Sequence, residues 1–177
     1  MSGRDARLLF AICVACAIPA GAAEPCSPVN DALLKLAQTP NHSFTESSGA
    51  IAGGKVKQSE RIATAGAAYI LVSGKWHKSV MTPRQELEMQ REALQEKKDA
   101  SCRYLRDEVV AGEPAALYAT HNEDDGGKAD GQIWISKRRG LPLRQVMHLS
   151  VGGGTIGESQ VTTRYVYDNT RAPEDAQ

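Results

Sequence analysis

The stretch GQIWISKRRGLPLRQVMHLSV, residues 131–151, decides the fold. Two runs with β-branched, apolar or aromatic residues, 131–136 and 143–151, flank a basic segment closed by Gly140 and Pro142. That is the pattern of a strand that goes out and a second that returns beside it. Working outward, similar runs recur downstream at 158–167 and upstream at 102–110 and 115–121. From His42 onward the period is two, with further strands at 55–64, where Val56 and Ile62 share one face, and at 68–80. In 68–80 the alternation sets Ile70, Val72, Gly74 and Trp76 against Tyr69, Leu71, Ser73 and His77, with Ser73-Gly74 as turn or bulge chemistry. Gly53-Gly54, Gly66, Gly112, Asp125-Gly126-Gly127 and Gly152-Gly153-Gly154 punctuate the series. Consecutive short strands with hairpin signals predict an antiparallel meander and not βαβ units.

Two helices interrupt the strands. Residues 29–37 carry Leu33, Leu34, Leu36 and Ala37 behind Asn30 and Asp31, a short capped helix stopped by Pro40. In 82–98, Thr82 is the N-cap, Pro83 takes the first helical position and Gln85 completes a capping box. Only Leu87, Met89, Ala93 and Leu94 are apolar there, so this helix lies on the surface or covers an opening. The fold class expected is α+β.

The 177 residues, 41% hydrophobic and 24% charged, match one ordinary globular domain. With 21 basic against 21 acidic residues there is no electrostatic footprint for nucleic acid. Arg4 and Arg7, the apolar run 8–18 and the small residues Ala20-Gly21-Ala22-Ala23 form a secretory signal peptide, residues 1–23, cleaved after Ala22 or Ala23. A lipoprotein reading, with Cys16 acylated behind Val14-Ala15, is weaker. Cys13 stands where an aliphatic residue is needed, and the preceding apolar run is very short. Later segments are not apolar enough to span a bilayer. The mature domain is expected at 24–170, with a flexible tail at 171–177. Cys26 and Cys102, the pair left in an exported chain, predict one disulfide.

Catalytic and metal motifs are weak. The run Val151-Gly-Gly-Gly-Thr-Ile-Gly157 lacks the Lys-Ser/Thr ending of a phosphate loop and sits between strands, so it reads as a hairpin loop. An EF-hand loop starting at Asn122 needs Glu where Ile133 stands. There is neither H-E-x-x-H nor G-x-S-x-G. His42, His77, His121 and His148 are dispersed and read as strand histidines. Glu86, Glu88 and Glu92 belong to a polar helix face. The protein is therefore expected to be non-enzymatic, with no cofactor and no metal.

Aromatic placement is the stronger signal. Tyr69, Trp76, Tyr104, Tyr118, Trp134, Tyr165 and Tyr167 all fall in expected strands. Tyr165 and Tyr167 share a face with Val161 and Thr163. Aromatics along one sheet can line a ligand cavity.

Three segments carry a resemblance. Trp134 to Arg144 with its Gly-Leu-Pro turn, Thr163-Arg-Tyr-Val-Tyr-Asp168 before Pro173, and Glu60-Arg-Ile followed by Ala68 to Trp76 together resemble LolA-like periplasmic proteins. The resemblance implies a curved, unclosed antiparallel sheet, a half-barrel, whose concave face is covered by an N-terminal and a central helix. The early strand departs from the lipoprotein carrier's basic-Pro-aromatic pattern, reading Gly54 to Arg61 without Pro or aromatic. The resemblance implies a monomeric periplasmic or secreted carrier of a lipid or lipoprotein acyl chain, lined by Tyr69, Leu71, Trp76, Trp134, Tyr165 and Tyr167. The alternative is an envelope protein-interaction module, a sensor or inhibitor, with a filled core and no lipid.

Overall fold

Pro28 in the first turn starts helix α1, Ser27–Ala37, one turn earlier than the cap residues Asn30 and Asp31 suggest. Both lie inside the helix, and the entry is closed instead by the Asn30 N–H donating to the Cys26 carbonyl at 2.8 Å. The computed structural model describes residues 26–96, 99–124, 126–151, 157–168 and 170–176. The signal segment and the Gly152–Gly154 loop lie outside the described residues.

After α1 come β1 (Asn41–Gly49), a 3₁₀ turn (Ala50–Ala52), β2 (Lys57–Ala63), β3 (Ala68–Val72) and β4 (Lys75–Lys78). Helix α2 (Pro83–Glu96) follows. Five long strands complete the chain: β5 (Asp99–Val110), β6 (Glu113–Asp124), β7 (Gly127–Ser136), β8 (Pro142–Val151) and β9 (Gly157–Val166). They form one nine-stranded antiparallel sheet in the order β4-β3-β2-β1-β9-β8-β7-β6-β5. The sheet is curved and does not close into a barrel. The first and last strands pair in its middle, His42 opposite Val166.

Segment 68–80 is a hairpin and not one strand. Ser73 and Gly74 both have positive φ, 52° and 78°. That is the two-residue turn whose twist matches paired strands. The reversal places Trp76 opposite Leu71, so Trp76 joins the face of Tyr69 and Leu71 and not that of Ile70 and Val72.

The connection from β4 to β5 must travel from one rim of the sheet to the other, and α2 makes that crossing. Its start follows the capping chemistry. The Thr82 N–H donates to Gln85 Oε1 at 2.9 Å, and the Gln85 N–H to Thr82 Oγ1 at 3.3 Å. Helix α1 packs beside α2 and against β7 and β8.

Both faces of the β5–β8 half carry a core. On the helix side, Val29 and Ala32 of α1 meet Cys102, Ile133 and Ile135. The Cys26–Cys102 disulfide fastens the start of α1 to β5, with the two Cα atoms 5.0 Å apart. On the opposite side, Ala115, Leu117, Trp134 and Leu143 pack together. The Gly-Leu-Pro turn is held from several directions. Gly140 takes φ 61°, Leu141 is buried, and the Tyr167 hydroxyl donates to the Pro142 carbonyl. Nearby, buried Glu113 accepts hydrogen bonds from Ser136 and Arg139, and the Arg139 guanidinium stacks on Tyr167 at 4.9 Å.

Candidate functional site: a groove between the helices and the sheet

Cross-strand partners share a face, so register sorts the inward side chains from the outward ones. Asn41, Ser43 and Thr45 of β1, Arg61 and Ala63 of β2, and Thr163 and Tyr165 of β9 fall on the side that the helices cover. Above them, Leu33, Leu36 and Ala37 of α1 face Met81, Met89 and Ala93 from the α2 side. The space enclosed is a groove of about 530 Å³. A smaller cavity of about 280 Å³ continues under α1, where Leu33, Leu94 and Met147 meet Thr120, Asn122 and Gln145. Leu33 lines both.

The walls and the floor differ in chemistry. The helices contribute apolar side chains because their thin apolar stripes turn inward. The floor is small and polar, and it is internally satisfied where Thr45 Oγ1 meets Thr163 Oγ1 at 3.0 Å. The Tyr165 hydroxyl reaches Gln145 Oε1 at 3.4 Å, and burial pushes its pKa up to about 12. It therefore stays a neutral donor at ordinary pH.

The roof is lightly held. No described side chain of α2 is fully buried, and Met89 remains 54% exposed. Among the described residues one charged contact ties this helix to the sheet: Arg61 of β2 donates to Glu86 of α2.

Of the six residues expected to line the cavity, Tyr165 alone is among the lining residues of these two spaces. Tyr69, Leu71, Trp76 and Trp134 stand on the opposite face. Trp76 packs edge-on to His42, and the Trp134 Nε1–H donates to Glu108 at 2.6 Å. Tyr167 follows β9 and anchors the Pro142 turn. Sequence reasoning passed over Leu33, Leu36, Met81, Met89 and Arg61 as lining residues. Their signals were the helical spacing of Leu33, Leu36 and Ala37 and the thin apolar stripe of the second helix, which holds Met89.

The histidines do not converge on a metal. His121 Nδ1 lies 2.7 Å from Asp130, whose carboxyl is held below the usual range first by that contact and then by Lys128. Among the described residues no group of three or more His, Cys, Asp or Glu is arranged to hold a metal ion. No described helix is long and apolar enough to cross a membrane.

An open, curved antiparallel sheet with both helices on its concave side, one of them bridging the two rims, is the arrangement that the Trp134 and Gly-Leu-Pro segment implied. The architecture is a half-open α+β sheet under two helices. No protein-family model matches the chain, and no curated protein sequence matches it. Among solved structures it is similar to MucB in complex with MucA(peri), at 16% identity and a TM-score of 0.48, over 84% of this chain and 60% of that one. It is similar to the lipoprotein LppX of Mycobacterium tuberculosis at 10% identity and TM-score 0.49, over 84% and 97%. A LolA superfamily protein from Nitrosomonas europaea aligns at 9% identity and TM-score 0.28, over 79% and 90%. The chain thus spans about 60% of the length of MucB. Likeness at this level shows no function, and the groove itself is the feature that bears on one.

Proposed function

We propose that the protein is an exported, non-enzymatic binding or carrier protein, acting in the periplasm or outside the cell as a monomer. Its hydrophobic ligand, such as a lipid or a lipoprotein acyl chain, enters the groove between α1, α2 and the sheet. The observation that supports this reading is the groove of about 530 Å³ under a helix none of whose described side chains is fully buried. That volume is within the range of small-molecule sites. A roof with little buried area opens cheaply, and opening admits the ligand. Each methylene sequestered by Leu33, Leu36, Met81 and Met89 contributes roughly 0.8 kcal/mol, so a partly enclosed chain binds usefully. Tyr165 supplies a neutral hydroxyl at the floor for a polar end of the ligand.

Native mass spectrometry of the exported protein, with release and identification of any bound material, tests this. A defined lipid or acylated peptide at near-stoichiometric amount is expected. Leu36→Glu and Met89→Glu should each weaken binding of a fluorescent fatty acid, because each sets a charge in the apolar wall. A bare mass together with no fatty-acid binding would refute the carrier reading.

A further inference from the structure

The face without helices carries a charge arrangement that folding alone does not explain. Arg164 of β9 and Arg144 of β8 are direct cross-strand partners on this face. Like charges placed opposite each other destabilise a sheet. Neither guanidinium has a carboxylate in ion-pair contact among the described residues. Both are exposed, yet each guanidinium lies over an aromatic ring. Arg164 lies 4.3 Å from the centroid of Phe44, and Arg144 lies 5.0 Å from that of Trp134. Phe44, Arg164, Arg144 and Trp134 therefore form one continuous row across β1, β9, β8 and β7.

The acids nearby are already engaged. Glu60 contacts His42 at 3.1 Å, Glu46 accepts from Gln58 at 3.4 Å, and Glu108 binds Arg106 and the Trp134 indole. The two arginines carry the positive charge of the row, Glu60 on β2 continues the row beyond Phe44, and Glu108 interacts electrostatically with Arg144. The arginines line an open depression of about 510 Å³ with Glu46 and Glu60, Phe44 lying between Arg164 and Glu60 and Thr162 standing opposite Glu46.

We propose that Arg144 and Arg164, oriented by Trp134 and Phe44, form a docking site for an acidic segment of a partner protein. A guanidinium stacked on a ring keeps its planar N–H fork free for a carboxylate. Arginine and aromatic anchors set together are the residue types that dominate protein interfaces. Glu46 and Glu60, on the β1–β2 side, repel a continuous polyanion, so neither nucleic acid nor a dense phosphate surface complements the whole depression. A peptide with acidic side chains over the arginines and neutral or basic ones over the glutamates does. This site is independent of the groove and stands on the other side of the sheet.

The experiment uses Trp76→Phe protein, in which Trp134 is the sole tryptophan, since the chain has two. Its fluorescence reports on the stack as a peptide of sequence Glu-Glu-Ser-Gly-Lys-Lys is titrated at low ionic strength. A saturable change that salt suppresses is expected. The double substitution Arg144→Gln and Arg164→Gln, read with labelled peptide, should weaken binding by about tenfold or more, as two charge-assisted contacts are lost. Its melting temperature should stay near that of the parent, because the ring stacking and the mutual repulsion disappear together. Arg84→Gln, which removes the same formal charge from α2, should leave binding unchanged. The proposal fails if this peptide does not bind, or if Arg84→Gln weakens its binding as much as the double substitution does. It fails equally if phosphatidylglycerol vesicles, and not the peptide, bind through the two arginines.

Discussion

Replacing Glu86 by Gln keeps the side chain's shape and removes the charge that ties α2 to the sheet. The side chains of Arg61 and Glu86 are 30% and 22% exposed, so the pair lies between a surface ion pair and a buried one. Charged hydrogen bonds contribute about 1.5–3 kcal/mol, and fully exposed pairs about 0.2–1 kcal/mol. A figure near the lower bound of the first range, roughly 1.5 kcal/mol, follows for this exposure. Since about 1.4 kcal/mol is a factor of ten, the opening equilibrium of α2 should rise roughly tenfold. The fourteen-residue helix has no fully buried described side chain, and beyond this pair it is held by half-buried residues such as Leu87 and Leu94 and by its packing beside α1. Hydrogen exchange of the α2 amides, followed by mass spectrometry, reads this directly. They should exchange about tenfold faster while amides around Leu117 and Ile133 keep their rates, because those strands do not depend on α2 for burial. Unchanged α2 exchange would refute the tether. Equal acceleration in α2 and the core strands would show that the helix opens only with the whole molecule.

Removing the cross-link with Cys26→Ser and Cys102→Ser should cost roughly 4–5 kcal/mol on the chain-entropy view; a fall in the urea midpoint of the oxidised protein checks it. Glu113 is buried, and its carboxyl is held below the ordinary value of 4.5, first by hydrogen bonds from Arg139. That contribution is complete above about pH 4.5 and is lost as the pH falls through the depressed value. Glu113→Gln should therefore flatten the acid limb of a melting-temperature against pH curve. Gly49→Ala should destabilise by roughly 3 kcal/mol, measured by thermal unfolding, since Gly49 has φ 83° and an added Cβ would stand 2.2 Å from the Glu158 carbonyl oxygen.

Local chemistry was legible in the sequence, and parity was not. The Thr82-Pro83-Gln85 cap, the Cys26–Cys102 bridge and the strand series all rest on signals within a few residues or on a single pairing. Which side of the sheet a strand residue faces depends on every turn before it. The two positive-φ residues at Ser73-Gly74 reset the alternation and moved Trp76 to the other face. Tyr69, Leu71 and Trp134 were expected in the cavity because they are aromatic or apolar and lie in strands. The helices cover the other side. The cavity walls come from Leu33, Leu36 and Met89, whose role depends on where α1 and α2 settle. The opposition of Arg144 and Arg164 likewise appears only once β8 and β9 are in register.

An unclosed sheet leaves two rims with backbone groups available for pairing, and such rims invite other chains to add on. Here each rim is a poor template. Strand β4 is four residues long and has a lysine at each end, Lys75 and Lys78. Strand β5 is twelve residues long, but its register breaks at Leu105 between Tyr104 and Arg106. Arg103, Arg106, Asp107 and Glu108 crowd that break with charge. A newcomer strand would have to match the irregularity and tolerate both signs of charge at once. The molecule can therefore keep its sheet open for a cavity without stacking edge to edge into fibres when it is concentrated.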